Sequence, residues 1–403
     1  MGLYDAARRL AQRATESRNS SGISLSSFGF EAASNVSVRR VAGYPSVSQA
    51  LQMIAGDCAK MPAMVFELDG EHRRRVPDHP LLQLVGEFGH PNDVDTTFEI
   101  LFDWFFHCLL WGRSAIWVVR EGPNPVELIP LLPDRTEPKY KGGKRYFATE
   151  VRDDDGRAHV QLLPNEDVLY LEYLNLDGLN PEHPVRLYRE TFKQAINAQD
   201  FTSKYFEDGT HHGGILVAPH GASEDAIEGL EQQVEEGRRK RSWFKTLTIK
   251  DGFNWIQTTA NLKDATAVEL DENTARQVAR TYNLPPSKLG LKDSSSYNSL
   301  DQDNRQYVDS CLSSWLIQAR SQFHRKLLLP SEQSRFIVDY EIDSLQWADP
   351  DTKAKIAMMG CQWGFLDLNT ARRMFNEPPL TDEQIAALKE RQPRPGDDDE
   401  SRT

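Results

Sequence analysis

Apolar positions along this chain change their period from one stretch to the next. After Pro45, Leu51, Ile54, Ala55 and Cys58 recur on one helical face, and Ser46 with Gln49 has the spacing of a capping box. Ala63 to Leu68 alternates like a strand and ends at the turn Asp69-Gly70. Thr96 and Glu99 form a second capping-box pair, ahead of a helix carrying Phe98, Leu101, Phe102, Phe105 and Leu109 inward. From Ala115 to Tyr173 the period drops to two. Short strands are predicted there, broken at Glu121-Gly122-Pro123, Lys141-Gly142-Gly143 and Asp153-Asp154-Asp155-Gly156. Pro184 to Phe206 returns to helical spacing, through Leu187, Tyr188, Phe192, Ala195, Ile196, Ala198 and Phe201. At 1.5 Å per residue such a helix is about 30 Å long.

The stretch from Asp271 to Leu328 carries the most information. A helix marked by Ala275, Val278, Ala279 and Tyr282 stops at Leu284-Pro285-Pro286, because proline lacks the amide donor and restricts the residue before it. A polar loop follows, and a long helix starts near Ser299 or Leu300. Val308, Cys311, Leu312, Trp315, Leu316, Ala319 and Phe323 make its apolar stripe, opposite a polar face. Arg335 to Glu341 reads as a strand, and a last helical part begins at Asp349 or Asp351.

Composition narrows the class. With 403 residues the chain exceeds one ordinary core, so two or more compact units or one elongated subunit are expected. Mean hydropathy is -0.58, and the most apolar run, Leu101 to Val119, is interrupted by Asp103, His107, Gly112, Arg113 and Ser114. That argues against a membrane span. Cys58, Cys108, Cys311 and Cys361 are scattered without metal-ligand spacing, and a reducing cytoplasm is the default compartment. A net charge of -13 argues against a general nucleic-acid binder, whose affinity comes from cations on phosphates. An acidic protein can still handle DNA that it must not grip. The arginine- and serine-rich stretch 1–44 and the acidic tail 392–403 read as flexible.

No strong catalytic motif occurs, and no cofactor or metal site is expected. Lys141-Gly142-Gly143-Lys144 lacks the spacing of a phosphate loop and reads as a hairpin turn. Asp153-Asp154-Asp155-Gly156 lacks the closing Glu of a calcium loop. His107 and Cys108 are adjacent on a helix and point apart, which makes them core residues. Asp208, His211 and His212 could supply a dispersed site, although adjacent side chains on irregular backbone seldom converge on one ion. Between 208 and 262 the charges separate. Glu224, Asp225, Glu228, Glu231, Glu235 and Glu236 precede Arg238, Arg239, Lys240, Arg241 and Lys245, with Trp243 inside the basic run. Such a run suits a partner or phosphate contact, or an ion-paired helix end.

The order of these parts resembles the portal protein family of tailed bacteriophages and gene transfer agents, over roughly Tyr44 to Leu380. The resemblance is carried by Ala50-Leu51-Gln52-Met53-Ile54-Ala55 through Met61-Pro62, Asp78-His79-Pro80-Leu81-Leu82, Pro91-Asn92, Gly112-Arg113-Ser114-Ala115 and Leu128-Ile129-Pro130-Leu131-Leu132-Pro133. The best segment is Val278 to Gly290. Gly364 to Arg372 is similar to a family signature, with Thr370 in place of its Glu.

The resemblance implies an α+β, elongated portal-type subunit and no enzyme. It would have a flexible arm (1–44), a wing (45–183), a first stem helix (184–207), an α/β clip (208–262) and a second stem helix (263–284). A tunnel loop (285–299), a long wing helix and strand (300–348), a small helical crown (349–391) and a tail (392–403) would follow. It further implies a dodecameric ring at one capsid vertex of the virion, assembled in the host cytoplasm and conducting double-stranded DNA in packaging and ejection. Lys292, Asp293, Ser294, Ser295, Ser296, Tyr297 and Asn298 would line the channel. Arg238, Arg239, Lys240, Arg241, Trp243 and Lys245 would dock the terminase large subunit and then the head-tail connector, while the wing meets the major capsid protein. A capsid-associated adaptor or scaffold without a channel, or an enzyme built around Asp208, His211 and His212, stays open as an alternative.

Overall fold

The structure, a computed structural model, describes residues 36–70, 72–152, 158–207, 214–217, 254–257, 264–291, 297–340, 350–375, 377–381 and 383–385. Two compact units divide the chain after Glu341.

The first unit opens with α1 (Val38–Ala42) and α2 (Pro45–Ala59). Residues 36–44 were expected to belong to a flexible arm, but they are packed: Val36, Val41 and Tyr44 are buried, and the Ser37 hydroxyl caps α1. The expected Ser46–Gln49 capping box does not form. Tyr44 takes the N-cap position with Pro45 in the first turn, and Gln49 Nε2 donates instead to Lys288 O at 3.2 Å. Proline at the first turn removes an amide that would lack a partner anyway.

After α2 come β1 (Ala63–Asp69), β2 (His72–Arg75), the short α3 (Leu82–Val85) and α4 (Thr97–Trp111). Here the predicted box is formed: Thr96 Oγ1 accepts from Glu99 N, and Glu99 Oε2 accepts from Thr96 N. The apolar face of α4 packs on α2 and buries Ile100, Leu101, Trp104, Phe105 and Leu109. It ends at Gly112 with φ 80°, where an added Cβ would lie 2.0 Å from Glu182 O.

The period-two region gives six strands: β3 (Arg113–Glu121), β4 (Asn124–Leu131), β5 (Thr136–Lys141), β6 (Lys144–Arg152), β7 (Ala158–Pro164) and β8 (Val168–Glu172). They form two antiparallel sheets, β4-β3-β8 and β5-β6-β7. Ala115, Leu131, Phe147, Leu163, Val168 and Tyr170 make a shared core. Arg145 roofs it, 5.4 Å from the Phe147 ring centroid and 5.1 Å from that of Tyr170, while its guanidinium bonds Glu172 at 2.8 Å.

The helix predicted as continuous from Pro184 is two helices, α5 (Pro184–Leu187) and α6 (Arg189–Glu207), separated at Tyr188 with φ -102° and ψ 27°. An antiparallel pair, β9 (Gly214–Val217) and β10 (Asn254–Gln257), is described within the inserted segment. Then come α7 (Asp264–Thr281), a 3-10 turn at Pro286–Leu289, and the long helix. The long helix consists of α8 (Tyr297–Gln306), a π turn at Tyr307–Leu312 and α9 (Ser313–Lys326). Sequence periodicity predicted a start near Ser299 and no interruption. Instead Tyr297 and Asn298 already belong to α8, and the π turn places one extra residue in the spiral.

β11 (Phe336–Tyr340) returns to pair antiparallel with β1, giving the sheet β11-β1-β2. Trp104 of α4 stacks on Phe323 of α9 at 5.6 Å, which ties the long helix to the helical layer. The second unit contains α10 (Pro350–Gln362) and α11 (Leu368–Arg373). Leu366 lies against Gly360, where any Cβ would clash, and Asp367 caps α11 by accepting from Thr370 N at 3.1 Å.

Candidate functional site: the antiparallel helix pair and the long-helix junction

α6 and α7 pack on each other, with Phe192, Ala195, Ile196, Ala275, Val278 and Ala279 buried. Their direction follows from their partners. Near the start of α6, Tyr188 neighbours Tyr282 at the end of α7, and both approach Tyr173. Further along α6, Asp200 accepts two hydrogen bonds from Arg40, at 2.5 and 2.6 Å; early in α7, Asp271 accepts from Tyr44 at 3.3 Å. Both acids meet the 40–44 segment, so the helices run antiparallel, one leaving the body and one returning.

The return ends in a turn that the sequence dictates. Asn283 takes the left-handed conformation, φ 55°, and Leu284 N reaches back to Ala279 O at 2.7 Å, so the last carbonyls of α7 are satisfied before the prolines. The turn is stapled to the long helix. Ser287 Oγ donates to Asp303 Oδ2 at 2.7 Å, Lys288 Nζ donates to Asn304 Oδ1 at 2.7 Å, and Lys288 Nζ stands 5.0 Å from the Tyr307 ring centroid. Tyr307 OH in turn donates to Asp57 at 2.9 Å. The turn at Pro286–Leu289 and the start of the long helix are therefore braced against each other.

At its far end the long helix lies along the edge strand β8. Gln318 brackets Glu172, accepting from its N–H at 2.9 Å and donating to its carbonyl at 3.1 Å. Gln322 accepts from Tyr170 N at 3.3 Å, and Lys326 Nζ donates to Val168 O. The match is geometric. Four residues of helix advance about 6 Å and two residues of strand about 6.7 Å, so every helical turn meets every second strand residue. Arg120 Nη2 donates to Lys326 O at 2.5 Å, placing a cation at the helix C-terminus where the macrodipole is negative.

Burial governs the titration of this region. It lifts the thiols of Cys58 and Cys108, pushes Cys311 up to about 12, and lifts the Tyr307 phenol with help from Asp57. Lys326 is pushed down to about 7, by burial first and then by Arg145 and Arg325, against Glu172. The raised thiols and phenol stay neutral at pH 7, whereas Lys326 is brought to where its charge changes near neutral pH. Among the described residues there is no group of His, Cys, Asp and Glu arranged to hold a metal ion, and no helix long and apolar enough to cross a membrane.

Of the residues singled out in the sequence, Lys292, Asp293, Ser294, Ser295 and Ser296 lie outside the described residues, as do Arg238, Arg239, Lys240, Arg241, Trp243 and Lys245. Asp208, His211, His212 and the run from Asp153 to Gly156 do so too. Tyr297 and Asn298 open α8 instead of closing a loop. Periodicity missed the two braces of the long helix. The i, i+4, i+8 spacing of Gln318, Gln322 and Lys326 was a signal for one; Ser287 with Asp303 offered none.

A helix-and-sheet body, an antiparallel helical pair that leaves and re-enters it around an insert, and a long helix laid back on the sheet define a portal-type subunit. The chain belongs to the phage portal protein family, whose sequence model matches residues 45–376. Its function is accordingly that of a portal protein, and its relatives form a structural family. It is 23% identical over 350 residues to the probable portal protein of Streptomyces phage phiC31, covering 84% of this chain and 75% of that one. It is 22% identical over 375 residues to the portal protein of Enterobacteria phage HK97, covering 90% and 85%. Among solved structures, a chain in the neck of an empty gene transfer agent particle superposes with TM-score 0.58 at 19% identity, covering 87% of this chain and 95% of that one. An HK97-family phage portal protein from Corynebacterium diphtheriae superposes with TM-score 0.57 at 13% identity, covering 78% and 98%.

Proposed function

We propose that copies of this chain close into a dodecameric ring at one capsid vertex and conduct double-stranded DNA during packaging and ejection. The family match over 45–376 carries the reading. It is supported by a native gene transfer agent neck solved with C12 symmetry, one chain of which superposes on this one with TM-score 0.57. α6 and α7 are the stem, the segment between them is the clip, and the second unit is the crown.

Residues 291–299 form the constriction, with Lys292, Asp293, the three serines, Tyr297 and Asn298 making weak contacts to the DNA backbone. The net charge of -13 suits a passage that must not hold its cargo, because like charges repel over about a Debye length, ~8 Å at physiological salt. The basic run 238–245 and the acidic stretch before it dock the terminase large subunit and afterwards the connector, since exposed charge of both signs favours exchangeable, steered contacts. The wing meets the major capsid protein.

The test uses purified full-length protein and a packaging assay. Negative-stain images should show closed rings with a central hole, and replacing Leu291 to Ser299 by a short glycine linker should impair packaging or retention of DNA while rings persist. Unchanged packaging removes the constriction; a monomer removes the ring.

A further inference from the structure

The π turn at Tyr307–Leu312 sits between two parts of one helix that are fixed to different neighbours. α8 is held by the turn after α7, through Ser287–Asp303 and Lys288–Asn304. α9 is held by β8, through Gln318, Gln322 and Lys326, and it buries Leu316, Ala319 and Phe323. A continuous α-helix of one residue fewer would rotate α8 by about 100° relative to α9 and shift it by about 1.5 Å. Both braces cannot then be met together. The extra residue compensates for that phase difference, and the weak helix formers Tyr307, Val308, Asp309, Ser310 and Cys311 make the departure from α geometry inexpensive.

The two braces are unequal. The α8 brace consists of exposed or half-buried polar pairs and one cation over a ring. The α9 brace couples hydrogen bonds to an edge strand with a buried apolar face. Between them, carbonyls in and beside the π turn are taken by side chains: Ser310 Oγ donates to Gln306 O at 2.5 Å, Ser313 Oγ to Asp309 O at 2.5 Å, and Ser314 Oγ to Cys311 O at 3.0 Å. Ser310 O accepts from Asn283 Nδ2 at 2.7 Å. Asn283 is also the left-handed residue that terminates α7, and Cys311 Sγ donates to the neighbouring Tyr282 O at 3.4 Å.

We propose that Tyr307–Leu312 is a one-residue register joint, with Asn283 as the positioning residue that holds it in the π state. α9 is the fixed side and α8 the side that turns. When the polar brace on α8 is released, the π turn closes to α and α8 rotates, carrying Tyr297 at its start with it. The coupling runs from the end of the second stem helix to the start of the long helix through one amide side chain. The joint belongs to the subunit and is readable in it; only its consequence for DNA rests on the portal reading above.

The experiment is hydrogen exchange by mass spectrometry on the full chain, comparing peptides over 303–312 with peptides over 316–326. Asn283→Gly tolerates the positive φ and removes the side-chain donor to Ser310 O, so exchange across 303–312 should rise about fivefold, the equivalent of one net hydrogen bond, while 316–326 is unchanged. Ser287→Ala should open the same peptides in the wild type. Deleting the exposed Asp309 removes the extra residue. In that background Ser287→Ala should have no further effect, and protection at 316–326 should persist. Unchanged exchange in Asn283→Gly overturns the proposal, as does a deletion that opens 316–326 as much as 303–312. If the deletion variant does not fold, the Asn283→Gly comparison decides alone. A wild type that exchanges as proposed yet forms no ring would sink the ring reading and leave the joint standing.

Discussion

Lys326 offers the sharpest physical test of how the long helix is fixed. The residue is buried, 5% exposed; its amine donates to Val168 O and is faced by Arg145, Arg325 and Glu172. The folded pKa of about 7 lies below the ordinary lysine value of 10.5. Between these values the unfolded chain binds the extra proton, so stability rises with pH across that window; below about 7 the full penalty of charging or neutralising the buried amine is present. With those two values the penalty falls by about 3 kcal/mol between pH 7.0 and 9.5. Lys326→Met has similar volume and no titration. The buried thiols and phenols, whose pKa values are raised, lose stability as pH climbs above about 8.5, but they do so in both proteins and cancel in the difference. Urea unfolding followed by tryptophan fluorescence, with Trp104 stacked on Phe323 as a reporter, should therefore show the wild type gaining about 3 kcal/mol relative to Lys326→Met from pH 7.0 to 9.5. Parallel pH profiles would refute the buried, neutral lysine and with it this part of the brace on β8.

Gln318→Leu leaves both Glu172 backbone groups without their partner and should cost about 2–3 kcal/mol, against a few tenths for the exposed Gln302→Leu, in the same urea assay; equal losses would show that the bracket carries nothing. Gly112→Ala combines a left-handed backbone with a Cβ 2.0 Å from Glu182 O, so it should cost more than ~3 kcal/mol or abolish soluble expression, while Gly122→Ala, with φ 61° and open space, should cost about 1–2 kcal/mol. Similar midpoints for the two variants would contradict this geometry. Charge reversal at Arg239 and Arg241 should weaken capture of the terminase large subunit in a pull-down, and undiminished capture would reject the clip assignment.

The local rules worked where a segment's own residues decide its geometry. Thr96 and Glu99 form their box because the partners are three residues apart, and the helix before Pro285 stops because proline cannot donate. Ser46 and Gln49 have the same spacing and form none, because Pro45 already starts the helix and Gln49 is drawn to Lys288, 239 residues away. The break at Tyr188 is likewise unmarked, since its neighbours keep helical periodicity on both sides.

Periodicity, turn chemistry and the order of parts determined the α+β class, the helical stretches on either side of an insert, and the family. These depend on interactions within a few residues, or on a succession that the sequence displays directly. Which strand pairs with β1 was decided only in three dimensions, by β11 arriving from about 270 residues away. So was the phase of the long helix. Its stripe of Val308, Cys311, Leu312, Leu316, Ala319 and Phe323 fits one helix, yet the two ends answer to different surfaces, a stapled turn and a strand edge. The π turn between them is the physical residue of that conflict, set by distances no local pattern contains.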